Sequence, residues 1–343
     1  MGTWTKRSGY LWMGLFLWVV KPNLQAQQLP LLNEYLHYPA LLNPAMVGWE
    51  DLTAITATYR HQWTEMPERP MTFWLNFRHF DEPRNMAFGG GLTYDQTGPT
   101  SFTGINLQYA YHLKFKSEKP GEFRRHRLAL GLSLSMTQYR LDGSSLRYND
   151  ANDPLIVNNT VTRLLPDAAA GIFYYNDLYY VGLSLPQLIS RNVRFESDNS
   201  FSNLRREIHG YLHAGVKIRL QNQAKNRDEH LLLPTIWLRY APNAPFNVHL
   251  HLRYWWRQQL GFGVAATTDG TLSFDAALQL KRRLRIGYAL GIPLNGLSPQ
   301  LGTNHELALT YIFGSRGRGW LLGKAPQQIR FQKKKTSDTN NAG

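Results

Sequence analysis

The sequence predicts an all-β protein: a transmembrane outer-membrane β-barrel of about fourteen antiparallel strands, with an N-terminal non-strand segment as a plug or cap. Apolar and polar residues alternate along many segments of about 9–13 residues, the length with which a tilted strand crosses the hydrocarbon layer. Aromatic residues make up 13% of the 343 residues, and charged residues only 18%. Beyond the N-terminus, no apolar run is long enough for a spanning helix. The absence of cysteine excludes disulfides, thiolate metal sites and a cysteine nucleophile.

The first element is a predicted secretory signal peptide at residues 1–26. Lys6 and Arg7 precede an apolar run over residues 9–20, and Ala26 is a small residue at the expected cleavage point. This order of basic, apolar and small residues is typical of a signal peptide. A membrane anchor is the alternative, but the run is shorter than the roughly 20 residues that a spanning helix needs.

Residues 27–51 are predicted to form the non-strand segment. Pro30, Pro39 and Pro44 interrupt it, and its polar and apolar residues mix without a period. Because proline removes a backbone donor, this segment is a poor strand and is not expected to join the barrel wall. The step from Asn43 to proline favours a fixed turn. We expect a plug in the lumen or a periplasmic cap, with an ordinary flexible leader as the alternative.

Residues 52–314 are predicted to form the barrel. In the stretch FNVHLHLRYWW at 246–256, apolar residues take every second position and polar residues take the positions between them. A soluble sandwich also alternates, but long strands and small or polar inner faces favour a closed membrane barrel, which leaves no edge unpaired in hydrocarbon. Aromatic residues near strand ends, among them Trp74, Trp237 and Trp255 with Trp256, are expected at the level of the lipid headgroups. The predicted strands are 52–62, 71–80, 86–95, 101–114, 126–139, 167–176, 178–185, 209–220, 231–240, 246–256, 259–268, 271–281, 284–292 and 304–313.

The lengths of the connections predict an orientation for the barrel. If the N-terminus is periplasmic, the two longest connections, 140–166 and 186–208, face outside. Short turns such as 176–178 and 257–259 then face the periplasm, as is typical of outer-membrane barrels. Both termini are therefore expected in the periplasm.

The positive charge of the chain lies on the expected periplasmic side. Residues 114–127 contain six basic and two acidic residues, residues 281–285 contain four basic residues, and the predicted disordered tail 315–343 contains seven basic residues and one acidic residue. Together they account for the whole formal net charge of +14. Such a charge often indicates nucleic acid, but at this location we expect anionic outer-membrane lipid or an acidic protein as the partner.

An ordered set of motifs runs from Gln28 to Gly314. It includes NEYLHYPALLNPAMVG at 33–48, GGGLTYDQTGP at 89–99, PDAAAGIFYYNDLYYVGLSLPQLI at 166–189 and NHELALTYIFG at 304–314. Taken together, these motifs resemble the PorP/SprF family of outer-membrane proteins from the type IX secretion and gliding systems of Bacteroidetes.

The resemblance implies a non-enzymatic barrel that works with the type IX machinery. One branch of the family joins a periplasmic ring made of a lipoprotein and a partner subunit. The other branch is paired with a large secreted protein, often an adhesin, and helps to export it or to hold its C-terminal domain at the cell surface. Met46, Val47 and the long tail after Gly314 depart from the usual family pattern, which leaves the branch open. From the residues alone, a passive or ligand-gated channel for small or hydrophobic solutes is the alternative.

Polar residues of the strands are expected to face the lumen. The candidates are Asn247, His249, His251, Arg253, Asp275, Gln279 and Glu306. Asp275 with Lys281, and Glu306 with Arg253, are expected ion pairs there. Because barrel interiors are polar, these residues predict no site by themselves.

No catalytic, cofactor or metal site is expected. His249 and His251 share a strand face as metal ligands do, and His230, His305 and Glu306 are further candidate ligands, but polar lumen residues are the simpler interpretation. The serines on inner faces lie in no nucleophile motif.

The outer loops are expected to bind the partner, because exposed loops on a rigid scaffold often carry binding. The candidates in the loops and in the N-terminal segment are Asn43, Pro44, Asp150, Asp153, Arg191, Arg194, Arg205 and Arg206. The stretch NDANDP at 149–154 also fits calcium through its carboxylates, although these residues form turns without it.

Overall fold

A computed structural model shows the chain as a closed antiparallel barrel. It describes residues 35–115, 126–145, 159–189, 192–197, 200–205, 208–220, 230–242, 245–280, 283–294 and 298–313. The predicted signal peptide, residues 27–34 and the predicted tail lie outside these residues, as do Asp150, Asp153, Arg191, Arg206 and Lys281. Within the described residues, no helix is long and apolar enough to span a membrane.

The wall is built from strands that follow one another in chain order. Strands β1 to β7 are Thr53–His61, Met71–Asp81, Met86–Thr97, Thr100–Lys114, Arg127–Asp142, Thr160–Tyr175 and Tyr179–Leu185. Strands β8 and β9 are Asn192–Ser197 and Ser200–Arg205. Strands β10 to β17 are Gly210–Val216, Ile218–Arg219, His230–Tyr240, Asn247–Trp256, Leu260–Thr267, Thr271–Leu280, Leu284–Pro293 and Asn304–Phe313. Short helical turns are Tyr35–His37, Pro39–Leu41, Pro44–Met46, Gly143–Ser145 and Ser298–Leu301.

Fourteen of these strands form the ring, which confirms the predicted barrel. Each pairs antiparallel with its neighbours, β10 pairs with β12, and β1 pairs with β17 to close the ring. Strand β11 follows β10 along the same edge of β12, whereas β8 and β9 pair with each other in a separate hairpin. Closure satisfies the backbone groups that hydrocarbon could not.

Two of the expected outer loops contain strands. Strand β5 continues to Asp142 and β6 begins at Thr160, so both ends of the expected loop 140–166 belong to the wall. The expected loop 186–208 contains the β8–β9 hairpin. Alternation of apolar and polar residues is the main sequence signal of a strand. In β6 the adjacent residues Leu164 and Leu165 interrupt it, so the start of this strand was not recognisable from the pattern.

Exposure alternates along the strands as the sequence predicts. On β13, His249 and His251 are buried, whereas Leu250 and Leu252 are 53% and 42% exposed on the outer surface. Outward aromatic residues lie near both rims of the wall: Tyr59, Phe73, Tyr94 and Tyr240 at one rim, and Tyr111, Tyr179, Trp256 and Tyr311 at the other. The prediction that Trp74, Trp237 and Trp255 lie at the level of the lipid headgroups is wrong. Their side chains lie on the inner face of the wall, and all three are buried. They pack inside the barrel, two of them against residues of the N-terminal segment described next and Trp255 in the same cluster as Met46 and Trp49.

Candidate functional site

The lumen is occupied by residues 35–51, here called the inner segment. Its residues are almost all buried, and three short helical turns with two prolines at their starts shape its path. Proline has a fixed φ that suits the first position of a helical turn, where its missing N–H is not needed. Gly48, with φ of 82°, allows the chain to turn before it enters β1. The described part of the expected non-strand segment, residues 35–51, therefore lies within the barrel.

The turn Asn43–Pro44–Ala45 lies directly against the wall. Asn43 Oδ1 accepts a hydrogen bond from the Ala45 N–H at 2.9 Å, which caps the turn. Asn43 Nδ2 donates to the carbonyl oxygens of Ile172 at 3.1 Å and Leu183 at 3.3 Å. It also lies 3.0 Å from His213 Nε2. One amide side chain thus joins the inner segment to β6, β7 and β10.

Glycines make room for this turn. A Cβ atom on Gly131 of β5 would overlap the backbone of Pro44 and Ala45, and one on Gly171 of β6 would overlap the Asn43 amide. Gly131 and Gly171 are direct cross-strand partners, so they form one flat patch of wall. Asn43 and Pro44 contact this wall, and their role in partner binding stays a prediction.

Barrel side chains also satisfy backbone carbonyls of the inner segment. Gln108 Nε2 donates to the Ala40 carbonyl at 3.1 Å, Ser184 Oγ to the Leu42 carbonyl at 2.6 Å, and His112 Nε2 to the Val47 carbonyl at 2.7 Å. The Tyr38 hydroxyl in turn donates to Gln108 Oε1 at 2.7 Å. A buried carbonyl without a partner is costly, so these bonds fix the path of a segment that has no ladder of its own.

Buried ion pairs hold the end of the inner segment. Glu50 accepts from Arg78 of β2 at 2.7 Å and from Arg285 of β16 at 3.2 Å. Asp51 binds Arg127 of β5 through both carboxylate oxygens. Burial raises the pKa of Glu50, but Arg285 and then Arg78 lower it by more, so the net pKa lies below the usual value.

These ion pairs show that part of the predicted basic surface is not a surface. Arg127 and Arg285 belong to the clusters 114–127 and 281–285, yet both are buried inside the barrel. Inward strand positions place them there, and acids of the inner segment neutralise them. The sequence did carry a signal for these residues: each arginine alternates with outward apolar neighbours along its strand.

Apolar packing closes the lumen from side to side. The Trp49 ring lies 5.7 Å from the ring of Phe173 and 5.5 Å from that of Tyr180. The cluster containing Trp49 and Met46 extends to Leu231, Leu233, Trp255 and Ala277 on the opposite wall. Tyr38, Ala40 and Val47 fill the remaining side against Phe80, Ala87 and Ala110. Within the described residues, the inner segment therefore contacts the wall all around.

A polar cluster lies at the start of the inner segment. The Tyr35 hydroxyl is 2.6 Å from Thr235 Oγ1, and its ring meets the rings of His249 and His251. Asp275 accepts from His251 Nε2 at 2.7 Å and from Arg253 Nε at 2.7 Å. Gly263 of β14 lies between them and leaves space for the Asp275 carboxylate to reach β13.

The expected lumen residues occupy buried, inward positions. They are Asn247, His249, His251, Arg253, Asp275, Gln279 and Glu306. The ion pair of Asp275 in the described part of the chain is with Arg253, whereas the expected partner Lys281 lies outside it. Glu306 lies opposite Arg60 in the β1–β17 register.

The four histidines considered as metal ligands lie on opposite faces of the wall. His249 and His251 point inward, but His230 and His305 alternate with buried neighbours and bond to the tyrosines Tyr254 and Tyr288 instead. No group of three or more metal-ligating side chains lies together among the described residues. Of the candidate loop arginines, Arg194 lies on β8 opposite Asn203 and Arg205 lies on β9 opposite Asn192.

The chain matches a family model and is similar to several solved structures. The family model of the type IX secretion system membrane protein PorP/SprF matches residues 24–311. Three solved structures are also similar. The KdgM porin is 11% identical with a TM-score of 0.36, and the match covers 76% of this chain and 99% of that chain. The Pseudomonas putida toluene transporter TodX is 10% identical with a TM-score of 0.45, and the match covers 80% of this chain and 93% of that chain. The Acinetobacter baumannii outer membrane protein Omp33 is 8% identical with a TM-score of 0.40, and the match covers 78% of this chain and 100% of that chain. No curated protein sequence matches the chain significantly.

Proposed function

The chain belongs to the PorP/SprF family of type IX secretion system membrane proteins, and on this premise we propose that it is a non-enzymatic outer-membrane barrel that binds type IX secretion partners. It assists the export or the surface anchoring of a secreted, adhesin-like protein through that protein's C-terminal domain, or it docks the periplasmic ring of lipoprotein and partner subunit. Both termini face the periplasm in this proposal.

The observation that carries the proposal is the filled lumen. A channel needs a continuous path for solute, but the inner segment crosses the lumen and packs on opposite walls. Opening such a path would break the Glu50 ion pairs, and removing one partner of a buried ion pair costs about 3–5 kcal/mol. The resting barrel is therefore better suited to hold a protein than to pass a solute.

The test is to tag the C-terminus, purify the protein from native outer membranes in mild detergent, and identify by mass spectrometry what stays bound. A large secreted protein with a C-terminal sorting domain supports the client-binding role, and ring subunits support the docking role. A barrel that comes away alone overturns the proposal.

A matched control is a tagged outer-membrane barrel of another family purified from the same membranes. Proteins recovered with both barrels are contaminants of the preparation. Only those enriched with this chain count as partners.

A further inference from the structure

A polar cluster lies on the outer face of the wall at the rim where β1 ends. Strand β1 places Tyr59 and His61 on its outward side, and the Tyr59 side chain is 43% exposed. Arg69, in the turn that leads to β2, is exposed and lies close enough to His61 to act on its charge. Tyr59, His61 and Arg69 are here called the rim cluster.

The strand next to β1 holds a fixed neighbour against the rim cluster. His61 and His305 are direct partners in the β1–β17 register. His305 Nδ1 lies 2.7 Å from the Tyr288 hydroxyl, and His305 Nε2 lies 2.9 Å from Thr303 Oγ1. Both ring nitrogens of His305 are therefore engaged within the chain, and this ring supports the position of His61.

The guanidinium of Arg69 is attached to the same rim. Arg69 Nη1 donates to the Thr64 carbonyl at 3.2 Å, and the Thr64 N–H donates to the Thr303 carbonyl at 3.2 Å. These bonds tie the turn after β1 to the turn before β17. Because a guanidinium has five N–H donors, most of them are left for a ligand that approaches from outside.

The chemistry of the rim cluster suits an anion. Its three side chains offer a guanidinium, a phenol hydroxyl and an imidazole, and His61 Nε2 has no hydrogen-bond partner among the described residues. Arginine forms short, charge-assisted hydrogen bonds with phosphate and carboxylate oxygens. The rim cluster therefore fits a ligand with several negatively charged oxygens.

The rim cluster lies directly above a lipid-facing surface. Below Tyr59, the outward row of β1 continues with Ala57 and Ile55, and on β17 the outward Leu307 and Leu309 are 50% and 45% exposed. Exposed apolar rows of this kind face acyl chains in a membrane barrel. A polar cluster at the end of such a row lies at the headgroup level, where the anionic groups are those of lipids.

A groove begins on the same face just below the rim cluster. Tyr59 pairs with Phe73, and Leu75, the next outward residue of β2, lines the groove. Two residues along a strand span about 7 Å. The groove, here called the outer groove, has a volume of about 260 Å³, and its apolar lining residues are Ile55, Leu75, Phe77, Leu92, Ile105 and Leu107.

A glycine sets the depth of the outer groove. A Cβ atom on Gly90 of β3 would lie 2.9 Å from the Asn106 carbonyl oxygen and 3.4 Å from a methyl carbon of Leu107. The outward residues on either side along β3, Phe88 and Leu92, are 46% and 51% exposed and border this gap. A single hydrocarbon chain is narrower than a helix, whose diameter is about 10 Å, so the gap suits an acyl chain better than a partner helix.

We propose that the outer face of β1 to β4 binds a membrane lipid with a phosphate monoester, with its phosphate on the rim cluster and one acyl chain in the outer groove. A phosphate monoester presents three oxygens to the three side chains of the rim cluster, whereas a diester presents two. A soluble anion would use the rim cluster alone, but the groove below it matches the tail of the same molecule. The site lies at the opposite rim from the basic clusters 114–127 and 281–285.

The test is native mass spectrometry of the full-length protein in a neutral detergent, titrated with dioleoyl phosphatidic acid, the simplest lipid with a phosphate monoester. Phosphatidic acid should bind about tenfold more tightly than phosphatidylcholine with the same chains. Glycerol phosphate, the same headgroup without chains, should bind about a hundredfold more weakly than phosphatidic acid. Equal binding of the two lipids overturns the phosphate site, and equal binding of glycerol phosphate overturns the assignment of a lipid.

A pair of arginine variants tests the headgroup contact. Arg69→Gln should lower the affinity for phosphatidic acid about tenfold, because it removes the charge-assisted hydrogen bonds. Arg140→Gln is the matched control, since Arg140 is exposed near the end of β5 at the same rim, and it should bind as the wild type does. Equal losses in the two variants would show a general effect of charge and overturn the site.

A pair of tryptophan variants tests the acyl chain. Leu92→Trp fills the outer groove and should lower the affinity for phosphatidic acid about fivefold. The control Leu134→Trp places the same ring on the outer face of β5, outside the groove, where Leu134 is 68% exposed. The heat-modifiable form on gels verifies that each variant is a folded barrel. Equal affinities of the two folded variants would overturn the inference, because the groove would then hold no chain.

Discussion

Glu50 and Arg285, 235 positions apart in the chain, meet in the interior of the barrel with the Glu50 carboxylate 3.2 Å from the guanidinium. Arg78 completes the group at 2.7 Å from the other carboxylate oxygen. Arg78 lies on β2 and Arg285 lies on β16, the strands on either side of the β1–β17 pair that closes the ring. One carboxylate therefore joins the inner segment to both sides of this closure. Charge neutralisation inside the barrel thus depends on the inner segment being in place.

The variant Glu50→Gln should loosen the inner segment. It leaves two buried arginines without their carboxylate, and breaking a buried pair of this kind costs about 3–5 kcal/mol. We expect a lower midpoint in thermal unfolding followed by the loss of the compact, heat-modifiable form on gels. The exposed turn residue Glu82 provides the control: Glu82→Gln should unfold as the wild type does. Equal midpoints for the two variants would contradict the role given to Glu50.

Stability should fall on acidification in a way that depends on Glu50. The folded-state pKa of Glu50 lies below its unfolded value of about 4.3, because Arg285 and Arg78 outweigh the effect of burial. The stabilisation of the folded state by ionised Glu50 is therefore complete above the unfolded-state pKa and is lost as the pH falls through the lower folded-state pKa. Unfolding midpoints measured from pH 7 to pH 3 should decline below about pH 4.3. The variant Glu50→Gln should lack the part of this decline in the unfolding midpoint that comes from the protonation of Glu50.

The variant Gly131→Ala should displace the Asn43–Pro44–Ala45 turn from the wall. The added methyl group overlaps the backbone of Pro44 and Ala45, and overpacking of this kind costs about 1–3 kcal/mol. The wall itself should still form, because the β5 ladder is unchanged. Cells that carry this variant should become more sensitive to a large hydrophilic antibiotic such as vancomycin.

Gly104→Ala is the matched control for that measurement, because the atoms nearest to a Cβ there are those of the Thr137 side chain, at 3.3 Å, and the Met136 carbonyl oxygen, at 3.7 Å, and both residues belong to the wall. Sensitivity equal to that of the wild type is expected. If Gly131→Ala also leaves sensitivity unchanged while the protein is present in the membrane, the turn does not seal the lumen.

The variant Asn43→Ala should weaken the contact between the same turn and the barrel wall. It removes the cap of the turn and the amide that donates to Ile172 and Leu183. Loss of a cap alone costs about 0.5–2 kcal/mol. We expect limited proteolysis of the purified protein to cut the inner segment faster than in the wild type. Equal cleavage rates would show that the Asn43 amide does not anchor it.

The wall could be predicted from the sequence because each strand carries its own signal. Lipid on one face and a filled lumen on the other impose the alternation seen around His249 and Leu250. The same reasoning fails at Trp74 and Trp237, because aromatic residues favour headgroups in general but these two pack on Leu36 and Tyr35 of the inner segment. The start of β6 at Thr160 was also missed, because the adjacent residues Leu164 and Leu165 interrupt the alternation.

The path of the inner segment could not be predicted, although its lack of strand character could. Its contacts join residues far apart in the chain, such as Asn43 with Leu183 and Tyr35 with Thr235, and no local period encodes them. The glycines that receive the turn, Gly131 and Gly171, lie in two neighbouring strands, β5 and β6. Their role became visible only when β5 and β6 were placed side by side.

The central claim, that this barrel is a closed scaffold and not a channel, is tested most directly by recording current across planar lipid bilayers that contain the purified full-length protein at neutral pH. A closed scaffold should show no steady conductance in the wild type, with openings only in Gly131→Ala. A stable conductance of the wild type, unchanged in that variant, would show that the barrel is a channel, because ions would then cross a lumen that the inner segment does not close.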